Sequence, residues 1–340
     1  MALTYGAYTA CLQGRTLEEA LDVLAAAGLS GAEINTGGFI PAPHAPVDLL
    51  LASERARTDY LRIFKERGIA LTGLTVSGNP LSPLPTEGLP RAHDLRRTIE
   101  LAGKLGVRDV VAMSGTPGTD AGARYPAWIV NPWNGIDLEI LEYQWSVAVP
   151  FWKEIDALAR EHDVQVALEM HPRNLVFSPL TFEQFAQRVE PTNIGVNLDP
   201  SHLYWQQMDP IACIERLGRH ITHVHAKDTA VLPGAALRGV LDTVFGPVPE
   251  DPAQRTPTGI GHYCSTWPED PAWRFVALGE GHTPGQTHDV DYWASVLAAL
   301  AAVNPALNVN IEHEDAAYSQ VDGLERGART LLAAAERAGV

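Results

Sequence analysis

Four short apolar segments in this chain end in groups that bind metals: Val166-Ala167-Leu168-Glu169-Met170-His171, Gly195-Val196-Asn197-Leu198-Asp199, Ile221-Thr222-His223-Val224-His225 and Asn308-Val309-Asn310-Ile311-Glu312. Side chains alternate along a strand, so Leu168, Leu198, Val224 and Ile311 point one way while Glu169, Asp199, His225 and Glu312 point the other. A polar residue at one strand end is ordinarily a solvated or capping group. The same placement on four strands, at roughly regular chain intervals, points instead to one shared site. Three carboxylates and an imidazole suit one divalent ion of hard or borderline character, Mn2+, Co2+, Mg2+ or Fe2+, with Zn2+ also an option. Their three negative charges against two on the ion offset part of the cost of burying them.

Further polar residues gather beside this set. His171 lies two residues beyond Glu169, on the same strand face, and is a candidate acid or base, although Pro172 follows at once. His202 stands three residues past Asp199, on what reads as a loop able to fold back; it either orients Asp199, holds a substrate hydroxyl, or is a surface histidine. His223 shares the face of His225 one layer deeper and reads as a buried structural imidazole. Lys227 keeps the inward parity of His225 and is a candidate for polarising a carbonyl or binding an anionic group. Asp228 reads equally well as a turn cap. Glu314 is placed near solvent, supporting Glu312.

The elements needed to position these groups follow from the alternation of short apolar runs with helix-period segments. Strands are expected at about 3–8, 31–34, 69–76, 109–113, 165–170, 194–198, 221–226 and 307–312. Helices are expected at about 47–67, 92–105, 138–162, 181–189, 210–217, 290–302 and 321–338, with a further one opened by the capping box Thr16-Leu17-Glu18-Glu19. Eight strands alternating with helices imply a closed parallel sheet, a single (β/α)8 barrel domain over 1–340, because right-handed crossovers put every helix outside. Barrels of this kind carry their active sites at the strand C-termini. An open doubly wound sheet is disfavoured, since Thr9-Ala10-Cys11-Leu12-Gln13-Gly14 after the first strand lacks the glycine-rich phosphate turn.

Two long loops interrupt the alternation, after the fourth and seventh strands. The segments Gly115 to Asp137 and Asp228 to Asp289 are rich in glycine, proline and aromatics, and both are expected to fold over the strand ends and shape a pocket. Trp128, Trp133, Trp267 and Trp273 can form an apolar wall for substrate, or equally pack beneath the loops.

Composition bounds the partners. With 46% hydrophobic residues the 340-residue chain has ample material for one large core, and a net charge of −16 has the wrong sign for nucleic acid or anionic membrane. Cys11, Cys213 and Cys264 lie far apart without metal-knuckle spacing, which fits free thiols in a reducing cytoplasm. No secretory leader or spanning apolar run is recognisable, so a cytoplasmic protein is expected.

At Glu169, Asp199-Pro200-Ser201-His202, His225-Ala226-Lys227-Asp228, Gly279-Glu280-Gly281 ahead of Asp289-Val290-Asp291, and Ile311-Glu312-His313-Glu314-Asp315, the chain resembles the sugar phosphate isomerases/epimerases of the xylose isomerase-like barrels. The resemblance runs over nearly the whole chain. It implies a divalent metal, commonly manganese, on Glu169, Asp199, His225 and Glu312, with Glu169 and Glu312 transferring protons beside a carbonyl and the metal stabilising an enediolate. His171 joins them as a candidate catalytic residue, with His202, Lys227, Trp128 and Trp267 as candidate substrate contacts. The histidine after the first Glu and the long aromatic insertion depart from ketose epimerases and imply a larger substrate. They resemble the catalytic subunits of C-glycoside deglycosidases, lyases that cleave 3-oxo-glycosides in complex with a small second subunit; a homo-oligomer is the other expectation for assembly. A non-catalytic sugar-binding barrel is the rival from another class. The related endonuclease IV type is disfavoured by the acidic charge.

Overall fold

The computed structural model describes residues 3–242, 244–251 and 268–340. Eight parallel strands close into a barrel: β1 (Thr4–Tyr8), β2 (Gly31–Gly38), β3 (Ala70–Ser77), β4 (Asp109–Met113), β5 (Gln165–Glu169), β6 (Ile194–Leu198), β7 (Ile221–Ala226) and, after an insertion, β12 (Asn308–Ile311). The final strand pairs with the first, Thr4 beside Asn308 through Ala7 beside Ile311, so the sheet has no free edge. The outer ring comprises α1 (Leu17–Ala26), α2 (Val47–Ala52), α3 (Glu54–Glu66), α4 (Gly88–Leu105), α5 (Gly135–Glu161), α6 (Pro179–Val189), α8 (Pro210–Leu217), α10 (Val290–Val303) and α11 (Gln320–Ala338); the short, fully buried α7 (Pro200–Tyr204) directly follows β6, and the short α9 (Ala235–Arg238) lies in the insertion. None of the described helices is long and apolar enough to cross a membrane.

Local chemistry explains the boundaries. The capping box at α1 is present in both directions: the Glu19 amide donates to Thr16 Oγ1 at 3.2 Å and the Thr16 amide to Glu19 Oε2 at 2.9 Å. The helix expected over 47–67 is two helices, because Ser53 takes an extended conformation and its hydroxyl caps α3 at the Ala56 amide. Helix α4 starts at Gly88, ahead of the expected 92, since Pro90 falls in the first turn, where no intrahelical amide donor is needed. The Asp199-Pro200-Ser201-His202 segment is helical instead of a loop: Asp199 Oδ1 accepts from the Ser201 amide at 2.8 Å and Pro200 occupies the first turn.

The insertion after β7 also differs from the expected irregular loop. Strands β8 (Asp228–Val231), β9 (Trp273–Val276), β10 (His282–Thr283) and β11 (Gln286–Thr287) form a small mixed sheet in the order β11-β10-β8-β9. Asp228, read from sequence as a turn cap, is the anchor of this sheet. Its buried carboxylate accepts from the Gly279 amide (3.0 Å), the Gly281 amide (3.3 Å), His288 Nδ1 (2.6 Å) and Trp293 Nε1 (3.1 Å), tying the insertion to α10. Gly281 is required there, because a Cβ would collide with the carboxylate and with the His288 ring. Removing an ionic acceptor strands several buried donors at once, so Asp228→Ala should lower stability by about 3 kcal/mol in urea titration. A loss below about 1 kcal/mol would contradict this anchoring role.

Candidate metal centre

The strand ends converge as expected. Glu169 is the last residue of β5, Asp199 follows β6, His225 lies in β7 and Glu312 follows β12. One ligand atom from each of the four lies within 4.8 Å of the others, and all four side chains are buried. Their free valences face the shared space. Asp199 Oδ1 is fixed by the α7 cap while Oδ2 is buried without a hydrogen-bond partner; Glu312 Oε2 and His225 Nδ1 are likewise without one. These last two lie 3.0 Å apart, and Glu169 Oε2 is 3.6 Å from the same nitrogen. A buried lone pair without a donor is costly, and a cation at this point would satisfy all three. The donor set therefore fits a divalent ion of hard or borderline type.

Beneath it lies a polar layer that sequence reasoning did not identify. Glu33 of β2, fully buried, accepts from His225 Nε2 at 2.9 Å, His223 Nε2 at 2.8 Å, Asn310 Nδ2 at 2.9 Å and the Thr75 hydroxyl. Because His225 Nε2 faces this carboxylate it carries the proton, and Nδ1 is left as the ligand atom, the arrangement found behind metal-bound histidines. The available signal was an acid between Ala32 and Ile34 in a strand of otherwise buried residues. His223, expected as a structural imidazole, is fully buried between Glu33 and Asp109, whose Oδ2 lies 3.0 Å from Nδ1. Gly73 leaves the room this ring needs: a Cβ there would come within 3.1 Å of His223 Cε1.

The electrostatics follow from burial set against charge. Burial works to raise the Glu169 carboxyl, but the neighbouring His202, His225 and His171 outweigh it and lower its pKa. Asp199 is pushed up to about 7 by burial, with Lys227 pulling down and Glu169 and Glu312 adding repulsion. Burial would lower His225, yet Glu33 and Glu312 hold it well above its ordinary value, so a metal must displace a proton to bind there.

His171 and His202 come together at the open side, ring centroids 4.4 Å apart. His202 is buried, which excludes the surface reading; burial pushes its pKa down to about 3, leaving a neutral ring 3.3 Å from Glu169 Oε1 and 3.5 Å from Asp199 Oδ2. Lys227 is engaged by acids: its ammonium contacts Glu314, lies 3.4 Å from Glu312 and sits 4.2 Å above the Phe275 ring. Glu314 is therefore buried in an ion pair, not near solvent as expected, because the chain beyond β12 stays under the insertion sheet.

The aromatics divide. Trp128 borders two cavities: one of about 470 Å³ with His171, Arg173 and Asn79 on its walls, and an apolar one of about 170 Å³ shared with Trp205, Phe245 and Trp273. Trp205 and Trp273 stack at 5.1 Å. Trp133, in the turn just before α5, is 97% exposed and lines neither cavity. Trp267 and Cys264 lie outside the described residues.

The xylose isomerase-like TIM barrel family matches residues 21–334, and the chain belongs to that family. It is similar to the uncharacterized protein YfiH of Bacillus subtilis (strain 168), 34% identical over 321 residues, covering 92% of this chain and 93% of the relative. Among solved structures it is similar to the probable 3-DHS dehydratase AsbF of Bacillus anthracis (TM-score 0.64, 15% identity, 97% of this chain and 99% of that one). It is similar also to L-ribulose 3-epimerase (TM-score 0.61, 16% identity, 100% and 97% covered) and to the IOLI protein with a bound zinc atom (TM-score 0.59, 17% identity, 98% and 99% covered). At these identities the structural likenesses establish the fold.

His223 yields a test of the polar layer. Burial opposes its charge, but Glu33 and Asp109 prevail and raise its pKa to about 9, above the 6.5 of a free imidazole. A raised pKa means the folded state holds the proton more tightly. The stabilisation is complete below about pH 6.5 and is lost as pH rises through about 9. Urea midpoints of wild type should fall across that window, and His223→Asn should flatten the fall. An unchanged slope in the variant would place the titrating group elsewhere.

Proposed function

We propose that this protein is a divalent-metal-dependent enzyme that removes a proton from the carbon next to the carbonyl of a keto sugar or oxo-glycoside. The observation that carries the reading is the convergence of ligand atoms from Glu169, Asp199, His225 and Glu312 at the C-terminal mouth of the barrel, those of the last three without a hydrogen-bond partner. Those four residues would hold the ion, Mn2+ being the preferred choice. When bound, such an ion polarises a carbonyl oxygen and favours the negative charge that develops there as the adjacent C–H is lost. Glu169 and Glu312 are assigned the proton transfer, and His171 is the third catalytic group, at the side open to substrate. His202 meets a substrate hydroxyl, and Lys227 balances the charge of Glu312 and Glu314 next to the site. The likeness to an epimerase structure and to a dehydratase structure supports chemistry that begins with proton removal.

The apolar cavity beside Trp128 favours a second form of the same reading, in which the substrate is a 3-oxo-glycoside and the step after proton removal expels an aglycone, as in C-glycoside deglycosidases. Trp205 and Trp273 then face the aglycone and set substrate size.

Three outcomes are expected with manganese-loaded protein and a panel of keto sugars and 3-oxo-glycosides. The Glu169→Ala, Asp199→Ala double variant loses ion and turnover together, and a normal metal content in it would refute the ligand set. His171→Ala keeps the ion held by the four residues but turns over about 10²-fold more slowly or worse. Trp273→Ala lowers kcat/KM roughly 10-fold or more for glycosides with a bulky aglycone and leaves monosaccharides unchanged, the scale of a lost apolar contact. Equal effects on both substrate types would remove the case for an aglycone pocket. Affinity without turnover for every sugar would identify a binding barrel instead.

A further inference from the structure

We infer that Arg173 is the anion-binding residue of the substrate cavity, and that the keto sugar this protein takes carries a carboxylate. The inference deepens the proposed reading and rests on it only for where the substrate sits. Arg173 lines the cavity of about 470 Å³ together with His171, Asn79, Glu87, Tyr125 and Trp128. Sites for small organic ligands span roughly 300–1,000 Å³, so the space suits a sugar. It adjoins the candidate metal centre through His171, whose ring stands 4.4 Å from that of His202.

The backbone at this point is held in a form that arginine does not favour. Arg173 has a φ of 65°, in the left-handed region where a Cβ crowds the backbone and which glycine adopts freely. The loop after β4 keeps it there: the Thr116 hydroxyl donates to the Arg173 carbonyl at 2.7 Å, and the Gly115 amide to Asn174 Oδ1 at 2.8 Å. Asn174 Nδ2 closes the turn on the Pro172 carbonyl at 3.1 Å, an oxygen that also lies 2.8 Å from His171 Nδ1. Thr116 and Asn174 are buried, while the Arg173 side chain is exposed and contributes nothing to the packing of the turn. Strain over-determined by the surrounding structure gathers at active sites and ligand clamps.

The guanidinium is left free for a ligand. Among the described residues no acid forms an ion pair with it, although Glu87 lines the same cavity and the chain carries a net charge of −16. Its planar fork matches a carboxylate through two parallel hydrogen bonds. A carboxylate is favoured over a phosphate for two reasons. The cavity offers one arginine and no lysine, and the negative charge around it opposes a dianion more strongly than a monoanion. Glu87 is then an acceptor for sugar hydroxyls, and Tyr125 and Trp128 offer apolar faces to the ring.

The test is isothermal titration calorimetry of manganese-loaded whole protein with three sugars of one skeleton: fructose, its C6 acid fructuronate, and fructose 6-phosphate. Fructuronate should bind roughly 10-fold or more tightly than fructose, the scale of a charge-assisted hydrogen-bonded pair, and more tightly than the phosphate. Arg173→Gln should remove that advantage, and Arg173→Lys should restore only part of it, because an ammonium lacks the fork. Arg173→Gly should also remove it yet unfold at a temperature no lower than wild type, since glycine takes this φ without strain; a lower temperature would mark a residue kept for structure. An advantage that survives in Arg173→Gln places the carboxylate on the metal or Lys227 and overturns the inference. Equal binding of fructose and fructuronate, or binding of neither, overturns it too, and tightest binding of the phosphate overturns the choice of carboxylate. Hydrogen exchange with solvent, measured on the same sugars, separates the two claims: Arg173-dependent binding without exchange keeps the anion site and refutes proton removal.

Discussion

Like charges brought together out of water set the terms for this structure. Glu169, Asp199 and Glu312 present oxygens to one buried space, and at separations near 4 Å a like-charged pair costs about 4 kcal/mol even at an effective dielectric of 20. The fold offsets this repulsion with Lys227, lodged against Glu312, Glu314 and the Phe275 face, and with His225, which sits between the carboxylates of the mouth and Glu33 below. Even so, Asp199 retains a pKa pushed up to about 7 by burial and by its acidic neighbours. Acid concentrated at one buried point, with lone pairs of Asp199 and Glu312 unpaired, fits a cation.

The supporting shell explains why a barrel interior usually filled with branched apolar side chains is here polar. Glu33 is the shared acceptor of that layer: it holds His225 in the tautomer that frees Nδ1 and is itself fixed by His223, Asn310 and Thr75. Asp109 and Asn308 complete the layer, 2.9 Å apart. Each polar group in it is satisfied by strands far apart in sequence, so the closure of the barrel and the orientation of His225 are one event. The insertion sheet depends on the same device, a buried carboxylate at Asp228 gathering donors from the loop and helix that return to the barrel.

The eight barrel strands and the four converging residues were legible because period-two alternation places a side chain on a face without knowledge of the fold. Three features were not. Glu33 sits in mid-strand with no partner nearby in sequence, and its meaning arises only when β2 and β7 are brought together. The mixed sheet of β8 to β11 is built from strands of two to four residues, too short to show a period. The pairing of Lys227 with Glu314 required knowing that the insertion covers the chain beyond β12; by sequence alone that acid lay next to Asp315 and a helix start. Trp133 illustrates the opposite error, since an aromatic in a long loop is as readily turned to solvent as to a pocket.

Proton removal from carbon is the central claim, and solvent isotope exchange measures it without knowledge of the final product. Metal-loaded protein is incubated in D2O with a keto sugar or a 3-oxo-glycoside, and the hydrogen next to the carbonyl is followed by NMR or mass spectrometry. Deuterium should enter that position at a rate that depends on the metal, and Glu312→Gln should abolish the exchange. A bound sugar that keeps its hydrogen in the presence of a full complement of metal would contradict the account.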